Sequence, residues 1–363
     1  MLQSASRTPD GQPNGRAAHR QGKRMFSRSR LLIAALAATL CLASAAKAQE
    51  APAALVEAAK KEGRVVWYTS YVSPQLHDLV KKNFEKKYGI PVDLLNVRAS
   101  ELEERLRTEQ AAGRFVADVI QHGQASITRL FRAGQVQEYG DVPNTANMIE
   151  GQPAEKWEMG SLITGYAMMV NSNMVTSAEE PRSWRDLLDP KWKGKILADD
   201  MRALGGGFAV FAALMDQPEF GEDFHRALAK QELVFTRDVG QSERRVARGE
   251  YPIWVPQISV NVQGLKGLPV RVITPKEGVA YVRLDHGMLK NAPHPNAARL
   301  FMNYYISEEN QLMIASMGML PVIKGVQEKV PADKRVMEGA KLMGTIHVET
   351  QAKWLALAGE IYK

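Results

Sequence analysis

The sequence carries one cysteine, Cys41, within a stretch that reads as a removable leader. Beyond it there is no thiol, so cysteine-based zinc sites, a cysteine nucleophile and disulfides are excluded from the rest of the chain. A chain of this size needs no cross-link, because roughly 300 residues bury an ample core. Its one strongly apolar run, Leu31 to Leu42, is too short to span a bilayer as a helix. Catalytic signatures are missing as well. There is no G-x-S-x-G, no P-loop, no H-E-x-x-H and no EF-hand spacing, and Gly205-Gly206-Gly207 lacks the rest of a dinucleotide fingerprint. Excess charge of either sign is also absent once the leader is set aside. Eight of the 47 basic residues and one of the 40 acidic residues lie in residues 1–48, which leaves 39 of each. Nothing global therefore points to nucleic acid or to a membrane surface.

What is present begins with the leader. Arg28 and Arg30 precede the Leu31–Leu42 run, and Ala46-Lys47-Ala48 makes a small-x-small cleavage site. Residues 1–48 are expected to be a signal peptide delivering the protein to the periplasm. Residues 1–24, polar and ahead of Met25, read as an over-long gene start. Leu40 stands before Cys41 where lipid attachment needs a small residue, so no lipoprotein is expected.

From Ala51 helix and strand patterns alternate. A helix over Leu55–Glu62 stops at Gly63, and Val65-Val66-Trp67-Tyr68 reads as a buried strand. Ser73-Pro74 starts a helix ending at Gly89, and Val92–Val97 is the next strand. Ser100 and Glu103 have capping-box spacing, and Ala117–Ile120 is a third strand. The expected class is α/β with a parallel core, whose ligand side lies beyond the strands' C-terminal ends. Thr69-Ser70-Tyr71, Arg98-Ala99-Ser100 and Gln121-His122-Gly123-Gln124 fall there. Ile163–Val170 is expected to be a first crossing between two lobes, and Val270–Ile273 with Thr274-Pro275 the return. Between them, Ser183 caps a short helix bearing Trp184, Leu187 and Leu188. Pro190 ends it, Ile196–Ala198 is a strand, and Gly205, Gly206 and Gly207 open the run Phe208–Met215. Pro295 starts a helix carrying Ala298, Phe301, Met302 and Tyr305.

Three stretches carry a resemblance: SWRDLLDPKWKGKI from Ser183, ADVIQHGQ from Ala117, and APHPNAARLFMNYYISEENQ from Ala292. Together they resemble bacterial extracellular solute-binding proteins of family 1, in the ferric-iron-binding branch of ABC-importer receptors. The resemblance covers nearly all of the chain after the leader. It implies a two-lobed type 2 periplasmic-binding architecture, with residues 49–163 and 275–308 in lobe 1 and 164–274 and 309–363 in lobe 2. It also implies a monomer that binds a small solute between the lobes and delivers it to an inner-membrane ABC permease, with no enzymatic activity and no cofactor.

In the iron-binding members the resemblance implies two adjacent tyrosines in the second lobe, a His after the first strand and a Glu after the third. Here those positions carry Tyr71-Val72 and Gly123, and YPIWVPQISVNVQ from Tyr251 holds no tyrosine pair. Tyr304-Tyr305 is a pair, but on a helix whose apolar stripe makes it core. No metal site is therefore expected, and the candidate ligand contacts are organic ones. Tyr68, Thr69, Ser70, Tyr71, His122 and Gln124 offer hydroxyls, aromatic faces and amide or imidazole hydrogen bonds. Arg202 and the N–H groups of Gly205, Gly206 and Gly207 would receive a carboxylate or phosphate. Trp254, Gln257 and Ser259 would close from the other lobe. Tyr68 and Trp254 read first as strand core, and Arg98 or Arg202 as solvated surface. A small organic anion is the expected ligand. A ferric ion or chelate, a periplasmic enzyme, and a receptor-coupled sensor remain the alternatives.

Overall fold

The computed structural model describes residues 50–363 apart from Val72, Pro153, Val336 and Glu338, so the leader lies outside the described residues. The alternation seen in the sequence becomes one continuous twisted sheet wrapped by helices. The first part of the chain contributes three parallel strands: β1 (Val65–Thr69), β2 (Val92–Asn96) and β3 (Val119–Gly123). Every residue of β1 is buried, as a strand covered on both faces requires. Helices α1 (Ala53–Glu62), α2 (Pro74–Tyr88), α3 (Ala99–Ala111) and α4 (Gln124–Arg132) flank them. Gly63 and Gly89 end α1 and α2 at φ 82° and 70°, in the left-handed region where a Cβ is costly. The capping box expected at Ser100 does not form. α3 begins at Ala99 after Arg98, and Glu103 turns instead to Ser126 Oγ (2.8 Å) and Arg129.

Short strands β4 (Val136–Gln137) and β5 (Ala154–Glu155) lead into β6 (Glu158–Asn171), the longest strand. β7 (Ile196–Asp199), β8 (Val234–Thr236) and β9 (Ile253–Ile258) build the other half of the sheet. They are accompanied by α5 (Gly206–Met215), α6 (Gly221–Ala229) and α7 (Val239–Ala247). The strand order is β2-β1-β3-β11-β6-β9-β7-β8, where β11 is Val279–Leu289. β6 pairs β11 from Met159 to Tyr166 and β9 from Tyr166 to Val170, so it belongs to both halves. The segment expected as the return, β10 (Val270–Ile273), instead lines the Met168–Asn171 end of β6. The chain passes back in β11, which reaches β3. An antiparallel strand inserted between the two parallel groups is hard to distinguish by pattern from the edge strand before it.

Ser183 caps the 3-10 turn Trp184–Leu188 with a full capping box, accepting from Arg185 N–H while Asp186 accepts from Ser183 N–H. α5 is apolar all round, and eight of its ten residues are buried. Phe208 and Phe211 within it are fully enclosed, each contributing roughly 1.5–3 kcal/mol of burial. Helices α8 (Pro295–Tyr305) and α9 (Glu308–Ser316) return to the first half. Strand β12 (Leu342–Gly344) and helix α10 (Val348–Ile361) complete the fold. Among the described residues no helix is long and apolar enough to cross a membrane.

Candidate functional site

A cavity of about 90 Å³ lies between the two halves, bounded by the C-terminal ends of β1, β2 and β3 on one side and of β7 on the other. A single water takes roughly 10–15 Å³ of such space, so it has room for roughly six waters or a small organic molecule. Ser70, Tyr71, His122 and Gln124 line it from the first half, and Gly205 and Gly206 from the second, as the sequence reading grouped them.

The centre of the site is a bridge between the halves. Arg98 follows β2, and its Nη2 donates to Asp199 Oδ1 at 3.0 Å. Its Nη1 donates to the carbonyl of Arg237 at 2.8 Å. Arg237 reaches back, Nη2 to Ser100 Oγ at 3.0 Å. Asp199 ends β7 and is almost fully buried, and its other oxygen accepts from Gly207 N–H at 2.9 Å. The helix start expected to receive a ligand's anion thus already holds a carboxylate of the chain itself. Burial pushes the Asp199 carboxyl up, and the Arg98 charge with the Gly207 N–H pulls it back down.

The glycines have a second use, set by close approach. A Cβ on Gly205 would stand 2.7 Å from Arg98 Nη2, and one on Gly206 would stand 2.9 Å from the Tyr166 ring. On Gly207 it would collide with the Asp199 carbonyl oxygen. Only glycine lets the guanidinium, the phenol and β7 pack this closely on the start of α5.

Donors without partners face this region. Arg98 Nε is buried with no hydrogen-bond partner among the described residues. His122 Nδ1 accepts from Gly123 N–H (2.7 Å), which places the proton of the neutral ring on Nε2. That nitrogen makes no well-formed hydrogen bond, and Glu103 Oε1 is 3.5 Å away. Burial holds the His122 imidazole below its usual pKa, against the raising effects of Glu103 and the Ala99 carbonyl. Tyr71 donates to Thr164 Oγ1 (3.0 Å), and Ser259 shares that hydroxyl at 3.3 Å. Burial raises both the Tyr71 and Tyr166 phenols well above the usual range.

Other expected residues stand elsewhere. Arg202 bonds Asp200 Oδ1 (Nε, 2.8 Å) and the Tyr362 carbonyl (3.1 Å), over the face of Phe235. It lies one residue too far along the loop, so its side chain follows Asp200 outward while Asp199 points in. Tyr68 turns to Glu109 and Arg105, because alternate residues of a strand face opposite sides. Thr69 is bonded to Gln121, Trp254 is fully buried core, and Gln257 is held by Glu243. Tyr304 and Tyr305 are core, with Tyr305 OH accepting from Gln121 Nε2 at 2.9 Å. Sequence reasoning missed Tyr166, hidden in an apolar run, and Thr345, Ile346 and Gln351, which line the cavity from the segment before and within α10. It placed Arg98 among the ligand-side loops without choosing it over Arg202, although its position just after a strand was the available signal.

The family described as bacterial extracellular solute-binding protein matches residues 116–343. Among solved structures, the fold is similar to the periplasmic binding protein P5PA (TM-score 0.70, 18% identity, 83% of this chain and 100% of that one). It is also similar to iron-bound HitA from Pseudomonas aeruginosa (0.67, 19%, 82% and 99%). A third is AfuA from Actinobacillus pleuropneumoniae with fructose-6-phosphate bound (0.65, 19%, 81% and 97%). At these identities the likeness establishes the two-lobed fold.

Proposed function

Because the chain belongs to the bacterial extracellular solute-binding protein family, we propose that it is the periplasmic receptor of an ABC importer for a small organic anion. Signal-peptide export, a monomeric receptor and handover to an inner-membrane permease are parts of this reading. The observation that carries it is Arg98. A largely buried guanidinium spans the cleft, keeps its Nε–H free, and lines the same cavity as His122 and the start of α5. The incoming anion takes over Arg98 from Asp199, and contacts to both halves bias the hinge toward closure. Ser70 and Gln124 add neutral hydrogen bonds from the first half.

The test is titration with inorganic phosphate, malate and glycerol 3-phosphate, alongside mass spectrometry of whatever copurifies. Charge-assisted bonds of about 1.5–3 kcal/mol imply that Arg98→Lys, which keeps the charge but loses the fork, weakens binding by roughly ten- to a hundredfold. Equal affinities in parent and variant would refute the assignment.

A second reading has its own observation. Tyr71, Tyr166 and Asp199 line one cavity together with His122, and phenolate and carboxylate oxygens suit ferric ion as cargo. Among the described residues no group of three His, Cys, Asp or Glu could hold a metal, so this reading rests on the two phenols. The buried phenols resist ionisation, and Tyr71 is spent on Thr164, which favours the organic anion. Addition of ferric citrate decides: a visible tyrosinate-to-iron band would establish the ferric reading.

A further inference from the structure

We propose that the segment Thr345–Gln351 is a third wall of the cavity, and that Gln351 selects anions bearing a hydroxyl group. This rests on the anion reading above. The family match ends at residue 343, yet Thr345, Ile346 and Gln351 line the cavity. The wall is therefore built by residues lying past the stretch that the family match covers.

Both ends of this segment are fastened to the second half. Before it, Gln217 Nε2 donates to the Met343 carbonyl at 2.7 Å, and Gly344 lies against Ala213, where a Cβ would stand 3.2–3.3 Å away. After it, Trp354 Nε1 donates to Asp216 Oδ1 at 3.1 Å, and Tyr362 is buried with its hydroxyl 2.9 Å from His225 Nδ1. Between these anchors α10 also packs against α4 of the first half, where an exposed ion pair joins Arg132 to Glu349 at 3.6 Å. Exposed pairs of that kind hold weakly. The wall is thus fastened to the second half at both ends and touches α4 of the first half across the cavity.

Gln351 is nearly fully buried, and its Oε1 has no hydrogen-bond partner among the described residues. A buried carbonyl acceptor requires a donor, and in a site that already supplies the cation for an anion, the ligand's own hydroxyl is the fitting one. Ile346 gives the same wall an apolar surface for the ligand's carbon frame. A site with a buried polar group rejects an analogue that cannot pair it.

Two matched pairs of probes test this: malate against succinate, and glycerol 3-phosphate against propyl phosphate. The first pair reports a carboxylate head and the second a phosphate head. The parent should prefer the hydroxylated member of at least one pair by tenfold or more. Gln351→Met, similar in volume without the acceptor, should reduce that preference to below twofold while succinate or propyl phosphate binds as before. An unchanged preference would overturn the selection role. A second measurement does not depend on the ligand. In a Cys41→Ser background, an Ile346→Cys thiol should react with a maleimide at least tenfold more slowly than the exposed Leu342→Cys thiol. Equal rates would overturn the wall. Slow labelling together with no binding of any of the four anions would instead overturn the anion reading, and with it the hydroxyl preference.

Discussion

Asp199 and Asp200 are neighbours in sequence, and each is paired with an arginine, yet their surroundings are opposite. Asp199 turns inward, its side chain 1% exposed, and meets an arginine about a hundred residues away in the other half of the sheet. Asp200, its side chain 14% exposed, meets Arg202 in its own loop, an arginine whose side chain is 36% exposed. Burial dominates at the first and raises the Asp199 carboxyl; at Asp200 burial also pushes up, but the Arg202 side chain and backbone N–H outweigh it and hold the carboxyl below its usual value. The inner pair is costly to break because Asp199 has left water and Arg98 has nearly done so. The outer pair is screened and worth little. One residue of register therefore separates a structural bridge across the binding cleft from an ordinary surface contact.

The largest expected effect comes from cutting the inner pair. Asp199→Ala leaves Arg98 buried without its counter-charge and empties the start of α5, so unfolding free energy should fall by about 3–5 kcal/mol. Denaturant unfolding checks this, and a loss below about 1 kcal/mol would place the pair on the same footing as its neighbour. Next is the close packing behind it. Gly207→Ala forces a Cβ into the Asp199 carbonyl and should cost about 1–3 kcal/mol, read as a drop in Tm.

A third carboxylate extends the comparison to pH. Glu158 is buried beside Asp285, with Arg283 Nη2 at 3.1 Å, and burial followed by the Asp285 carboxylate pushes it up to about 8. Its folded pKa lies above its unfolded value, so its contribution is complete below about pH 4.5 and is lost as pH rises through about 8. Stability should decline between pH 5 and 8 by at least about 1 kcal/mol on this account, and Glu158→Gln should flatten that decline. An identical slope in the variant would remove Glu158 as its source. The smallest effect belongs to the outer pair: Arg202→Ala should change stability by no more than about 1 kcal/mol and leave anion affinity unaltered.

The same pair shows how far the sequence could be read. Helix and strand alternation, the Ser183 cap and the glycine start of α5 were legible because each is a local rule of spacing or capping. Which of Asp199 and Asp200, or of Arg98 and Arg202, faces the cleft depends on where β7 ends and on a partner a hundred residues distant. No local pattern records that. Tyr166 was obscured for a similar reason, since a phenol in a buried strand looks like core until the opposite half supplies Gly206. Thr345 and Gln351 carry no motif, and their place in the cavity follows only from the anchoring of α10.

The central claim is that Arg98 and the start of α5 form an anion site held in the structure by Asp199. Isothermal titration of Asp199→Asn with malate and inorganic phosphate tests it most directly. Removing the competing charge while keeping the side chain's shape should tighten binding of at least one of these anions by tenfold or more relative to the parent. Unchanged or weaker binding of both would contradict the account.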